Sequence, residues 1–193
     1  TYVYINGGVI GGIYDTEMNH ANIDGGAFYI NRVYGDAGKD YDLKVDITDG
    51  SILGNKANRN GGAIYLTDNI ANSNAQVNIN GGNIGSSEKT AANIAINGGA
   101  IYVNNGNVDM SNGVIAYNKA TNNGGAVYIA GGNFTMNDGT LQNNTSEVSG
   151  GAIYITNGNI SIESGAVSSN IALESGGAIA VTSGNVNSNP VIN

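Results

Sequence analysis

Six times the sequence returns to the same word. Gly-Gly-Ala begins at Gly25, Gly61, Gly98, Gly124, Gly150 and Gly176, and it continues FY, IY, IY, VY, IY and finally IA. The last three intervals are each 26 residues, and a period of that size spread over the whole chain belongs to a stacked-repeat architecture. The repeated word is β-branched and aromatic rather than helix-forming, so the stacked unit is a coil of strands. Such a coil has no internal linker, and residues 1–193 read as one elongated domain.

The segment from Gly98 to Asn123 serves as the template rung. It divides into GGAIYVNN, GNVDMSN and GVIAYNKATNN, each a short strand ending in a turn. Side chains alternate along a strand, so Ile101 and Val103 are expected to face inward, with Ala100 and Tyr102 outward. In the second piece, Val108 and Met110 point inward between Asn107, Asp109 and Ser111. The same positions form columns along the chain. One holds Val3, Val45, Val77, Val108, Phe134, Ile160 and Val186; a second holds Ile5, Ile47, Ile79, Met110, Met136 and Ile162, before Ser188 breaks it. A third holds Ile10, Ile52, Ile84, Ile115, Leu141 and Val167, each two residues after a glycine expected to turn a corner. The 36- and 37-residue repeats are the same rung with insertions at turns. These fall between the first and second strands (before Val45 and before Val77) and between Val77 and Gly98.

The fold expected is a single-stranded, right-handed parallel β-helix, with three short strands per rung and six to seven rungs. At ~4.8 Å per rung it is a rod about 30 Å long. The first residues read as a second strand and the last ones fall within a rung, so the chain is expected to be a segment of a longer protein. Its terminal rungs would be covered by neighbouring rungs or stacked end to end with another copy.

Composition narrows the partners. Seven basic against fifteen acidic residues give a net charge of −8, which repels nucleic-acid phosphates and anionic lipid alike. The chain has no cysteine, and no apolar run long enough to span a bilayer. No cofactor-binding motif stands out, and no direct membrane insertion is expected.

These words resemble the repeats of the chlamydial polymorphic outer-membrane protein adhesins, which combine a Gly-Gly-Ala-aliphatic word with a Phe-x-x-Asn word. The second word stands here as Ile52-Leu-Gly-Asn55, Ile115-Ala-Tyr-Asn118, Leu141-Gln-Asn-Asn144 and Val167-Ser-Ser-Asn170, with an aliphatic residue in place of phenylalanine. That substitution brings the chain nearer to the broader class of Gly-Gly-rich β-helix repeats in surface proteins of gut and anaerobic bacteria. The resemblance implies an extracellular, cell-surface, adhesin-like segment.

Three groups of residues are candidates for function. Tyr29, Tyr65, Tyr102, Tyr128 and Tyr154 form one outward column, which either contacts a glycan or protein partner on a host or neighbouring cell, or stacks on itself to shield the rod. Asn55, Asn118, Asn144 and Asn170 are expected to form a structural amide ladder. Asp36, Asp40 and Asp42 crowd an insertion and supply oxygen ligands of the kind calcium takes, though without a known loop spacing; a solvated acidic loop is the simpler reading.

An enzyme acting on polysaccharide needs paired carboxylates on one face. Asp46 and Asp109 share an outward column but Asn78 separates them, at ~10 Å by rung spacing. His20 reads as an exposed loop residue, and no nucleophile motif surrounds it. Thr67, Thr156 and Thr182 share a position but make no continuous array of the kind that binds ice. The reading is a non-catalytic adhesin segment or rigid spacer. A lyase- or glycosidase-type β-helix and a self-associating fibre subunit are the alternatives.

Overall fold

The computed structural model describes residues 1–32, 43–68, 75–87 and 89–188. It is a parallel β-solenoid in which every pairing between strands is to the equivalent strand of the next repeat. Three sheets run the length of the coil. The first has Tyr2–Gly11, Lys44–Leu53, Gln76–Gly85, Asn107–Ala116, Asn133–Met136, Asn159–Ile162 and Asn185–Ser188 along its path, seven layers in all. The other two have six layers each. One carries the tyrosines, in strands such as Ile101–Val103; the other is built of two-residue strands such as Lys119–Ala120.

This partition departs from the template in one respect. The second and third expected strands share a single sheet, and in the earlier layers they are one ten-residue strand with register shifts at a central glycine corner. In the later layers the corner interrupts the strand, giving Asn133–Met136 and Thr140–Gln142. The third face comes instead from the two-residue strands after each asparagine. These are too short to show an alternating pattern in sequence. His20 sits on one of them, paired with Lys56, and is exposed as expected but strand rather than loop.

The glycine doublet has two separate jobs. At the first glycine the backbone is left-handed, with φ between 63° and 69° in all six copies. At the second, a β-carbon would collide with the rung above: at Gly99 it would lie 2.2 Å from the Gly125 carbonyl oxygen and 2.7 Å from the Lys119 nitrogen. The bend this allows reverses one expectation. Ala63, Ala100, Ala126 and Ala152 are fully buried, not outward beside the tyrosines, because alternation stops at the corner and the alanine turns in together with the residue after it.

The interior columns lie as the alternation requires. Val77, Val108, Phe134 and Ile160 are completely buried over one another, as are Ile79, Met110 and Met136, and Ile64, Ile101, Val127 and Ile153. The core is therefore one dry column along the axis, and each rung buries its apolar side chains chiefly against its neighbours.

Candidate functional site

The lateral surface is organised by ladders, and the deepest of them is inside the corner between the long sheet and the short strands. Asn55, Asn93, Asn118 and Asn144 are all at most 1 % exposed. Each amide is fully used. The Asn118 Nδ2 donates to the Ile84 carbonyl of the previous rung at 2.9 Å, to its own Ala116 carbonyl at 3.1 Å and to Asn144 Oδ1 at 3.0 Å. Its Oδ1 accepts from Asn93 Nδ2 at 2.8 Å, while its backbone N–H donates to Asn144 Oδ1 at 3.0 Å. The pattern repeats from Asn144 to Asn170.

Two members of this ladder were not singled out in the sequence. Asn19 donates to Asn55 Oδ1 at 2.9 Å, and Asn93 takes the place between Asn55 and Asn118. The aliphatic-x-x-Asn word misses Asn93 because the insertion after Ile84 pushes it nine residues downstream. The signal that finds both looks forward instead: Asn-x-Ala or Asn-x-Ser, six residues before Gly-Gly-Ala, and five in the case of Asn93.

Exposed amides form further ladders. Asn133 donates to Asn107, Asn159 to Asn133 and Asn185 to Asn159, at 2.7, 2.8 and 2.9 Å. Asn97 donates to Asn60 and Asn122 to Asn97, at 3.2 Å each, so the turn before the glycine doublet also braces rung to rung.

The five tyrosines fall in one column, in register from Tyr29 to Tyr154, with Ala180 next. Ring centroids are 5.2, 5.4, 4.8 and 5.2 Å apart along the column. The first three pairs are within 9° of parallel and the last is tilted by 35°. In such a stack each inner ring spends its faces on its neighbours, leaving its edge and hydroxyl to solvent. Burial among its neighbours, together with the adjoining phenols of Tyr128 and Tyr65, pushes the Tyr102 phenol up to about 12, and burial raises Tyr65 as well. Beside the stack, Arg59 clasps buried Asp24 through two nitrogens, at 3.0 and 2.5 Å. That hydrogen bond raises the Arg59 pKa further.

Other polar candidates are occupied. Asp46 accepts a short hydrogen bond from Asn78, and Asp109 accepts one from Gln76 Nε2 at 2.5 Å; Asn78 stands between the two carboxylates in register. The Thr156 and Thr182 hydroxyls donate to carbonyls of the previous rung, and the hydroxyl of buried Thr67 accepts from Asn104. Among the described residues no three His, Cys, Asp or Glu side chains come together as a metal site. Asp36, Asp40 and Asp42 lie outside the described residues.

Fold and ladders together define the class: a parallel β-solenoid repeat protein in which the recurring residues hold rung to rung. Two segments, residues 49–67 and 138–156, match the Chlamydia polymorphic membrane protein repeat. Both matched stretches start at an Asp-Gly corner, pass through a ladder asparagine (Asn55 or Asn144) and the glycine doublet, and end just beyond a stacked tyrosine. That repeat is one of a surface-protein family, and it implies surface association and an adhesin-like β-helix. No curated protein and no solved structure matches the chain. No helix among the described residues is long and apolar enough to cross a membrane, which says nothing of passage by strands.

Proposed function

We propose that the chain is a non-catalytic segment of an adhesin-like cell-surface protein: a stiff rod that carries its lateral face and inserted loops to a glycan or protein on another cell. One observation carries this reading. The two stretches that match the surface-protein repeat coincide with the ladder-forming part of the rung, so what recurs is the bracing of the rod. Contact with a partner through the tyrosine column would use the hydroxyl edge, since the ring faces are stacked on one another. An extracellular location is supported by the match to a surface-protein repeat.

A polysaccharide-cleaving role is disfavoured by the engagement of its best carboxylates. Asp46 and Asp109 are hydrogen-bonded to amides, and Asn78 occupies the position where the attacked bond and its water would sit.

The test is adhesion of beads coated with the chain to epithelial and bacterial cells, beside a glycan array. Binding by the chain that is lost in the Tyr102→Ala/Tyr128→Ala double variant assigns contact to the tyrosine edge. Equal binding by both moves it to another surface. No binding to any cell or glycan leaves the rod a spacer and removes the adhesive half of the proposal. Product release from a polysaccharide panel would overturn the non-catalytic reading.

A further inference from the structure

On the outer side of the long sheet, one column of side chains has a gap. Residues facing outward just beyond the third interior column run Leu53, Gly85, Ala116, Gln142: large, absent, small, large. The neighbouring column runs Ser51, Asn83, Val114. The two rungs without bulk form a notch of about 460 Å³, with Leu53 and Ile13 toward one end, Gln142 and Tyr117 toward the other, and Ser86 and Ser87 along the side. This volume lies within the ordinary range of small-molecule sites.

Three observations point to a ligand. First, among the described residues no charged side chain lines the notch, although the chain carries a net charge of −8. Second, in the ladder of Asn107, Asn133 and Asn159 outward amides zip to the amide of the next rung. In the notch Asn83 and Gln142 stand apart across Val114 and Ala116, and among the described residues neither side chain has a hydrogen-bond partner in the protein. Third, Tyr117 is held with φ of 56°, a left-handed backbone that costs a bulky residue about 1 kcal/mol or more. The same corner is left-handed in other rungs, at Gly54 (φ 60°), Asn143 (φ 54°) and Ser169 (φ 56°), so the coil imposes the conformation and Tyr117 is the one bulky side chain among these four. Its ring walls the notch on one side and a second groove, of about 210 Å³, on the other.

We propose that this notch binds an uncharged glycan, seating one disaccharide unit with Tyr117 as its aromatic wall and Asn83 and Gln142 as its hydrogen-bonding ends. From Leu53 to Gln142 there are three steps of ~4.8 Å, and a pyranose ring is about one such step long, so two rings fit between the large residues. Apolar Leu53, Val114 and Ala116 meet the C–H faces of a neutral sugar, and the free amides meet its hydroxyls. Among the described residues no cation lines the notch to meet an acidic sugar. The inference rests on the adhesive reading above but uses a different surface.

Saturation-transfer NMR on the full chain with maltose, cellobiose, lactose or chitobiose at about 10 mM tests it, in the affinity range of single sugar sites. At least one should receive saturation. Tyr117→Gly should weaken that binding at least tenfold while melting at the same temperature as the parent or higher, because glycine accepts the backbone. Gln142→Ala, which disturbs no backbone, should weaken it too, and the Tyr102→Ala/Tyr128→Ala variant should bind normally. Four results would overturn the assignment: no transfer to any of the sugars, transfer that survives both Tyr117→Gly and Gln142→Ala, transfer lost only in the Tyr102/Tyr128 variant, or binding of an uncharged Ser-Gly peptide with none of the sugars. Loss confined to the Tyr102/Tyr128 variant would leave the adhesive reading standing and move it to the tyrosine edge.

Discussion

Replacing Asn118 by alanine removes an amide that is 1 % exposed and whose nitrogen faces three acceptors. An amide has two hydrogens, so at least one is shared between acceptors. In the alanine variant the Ile84 and Ala116 carbonyls lose this donor, and Asn93 Nδ2 loses one acceptor while keeping the Ile52 carbonyl at 2.8 Å. Asn144 Oδ1 still accepts the backbone N–H of residue 118. Two buried carbonyls left short of a donor, at ~1–3 kcal/mol each, put the expected cost at about 3 kcal/mol.

Asn118→Asp separates polarity from size. It places a carboxylate oxygen against two carbonyls and an amide oxygen, so at neutral pH it should cost more than alanine. Burial raises the pKa of the new carboxyl above its unfolded value. The folded state then binds the extra proton more tightly, and the penalty is relieved as pH falls through the folded pKa. The assay is urea unfolding followed by circular dichroism at neutral and acid pH. It is paired with hydrogen exchange at the Lys119 and Thr145 amides, which donate to the Asn93 and Asn118 carbonyls on either side of the replaced residue. An alanine cost below about 1 kcal/mol, or an aspartate variant no worse than alanine at neutral pH, would refute the view that the buried amides hold the rungs in register.

Gly99→Ala should be among the most damaging single-methyl changes in the chain, above about 3 kcal/mol, because the added carbon meets backbone at 2.2 Å and no side chain is there to yield; the same urea titration measures it. Ser146→Ala should stabilise by about 1 kcal/mol: the Ser146 hydroxyl is fully buried with no hydrogen-bond partner among the described residues, in a column that is otherwise Ala57, Ala95, Ala120 and Ala172, and an upward shift in denaturation midpoint is the readout. Because the folded pKa of Tyr102 is raised to about 12, its stabilising contribution is complete below the unfolded value near ~10 and is lost as pH rises toward 12. Phenolate absorbance should therefore show a late-titrating tyrosine that disappears in Tyr102→Phe, and that variant should resist alkaline unfolding better than the parent.

What was legible from the sequence is what repeats at a constant offset from a constant word. The interior columns through Val108, Met110 and Ile115, the tyrosine register and the asparagine positions after Ile52, Ile115, Leu141 and Val167 follow from strand alternation and period alone. In a solenoid each residue's main neighbour is its own counterpart one rung away, so a column in the sequence is already a contact in space. Where an insertion breaks the offset, as before Asn93, the ladder member is hidden although the coil brings it back into line. The insertion holding Asp36, Asp40 and Asp42 repeats no word of the other rungs, so neither alternation nor period reads it.

Tertiary structure decided what depends on direction rather than on period. The bend at the glycine doublet turns Ala100 inward against the alternation, and the two halves of the Asn107–Ala116 strand share one sheet because the Gly113 corner changes register without ending the pairing. Whether the tyrosines present faces or edges depended on ring planes, and these settled into a parallel stack. The notch beside Tyr117 exists only because Gly85 and Ala116 lie side by side on the outer surface, although thirty-one positions separate them along the chain. Period sets which residues meet; the local backbone geometry at each corner sets which way they face, and that is a property of the folded coil.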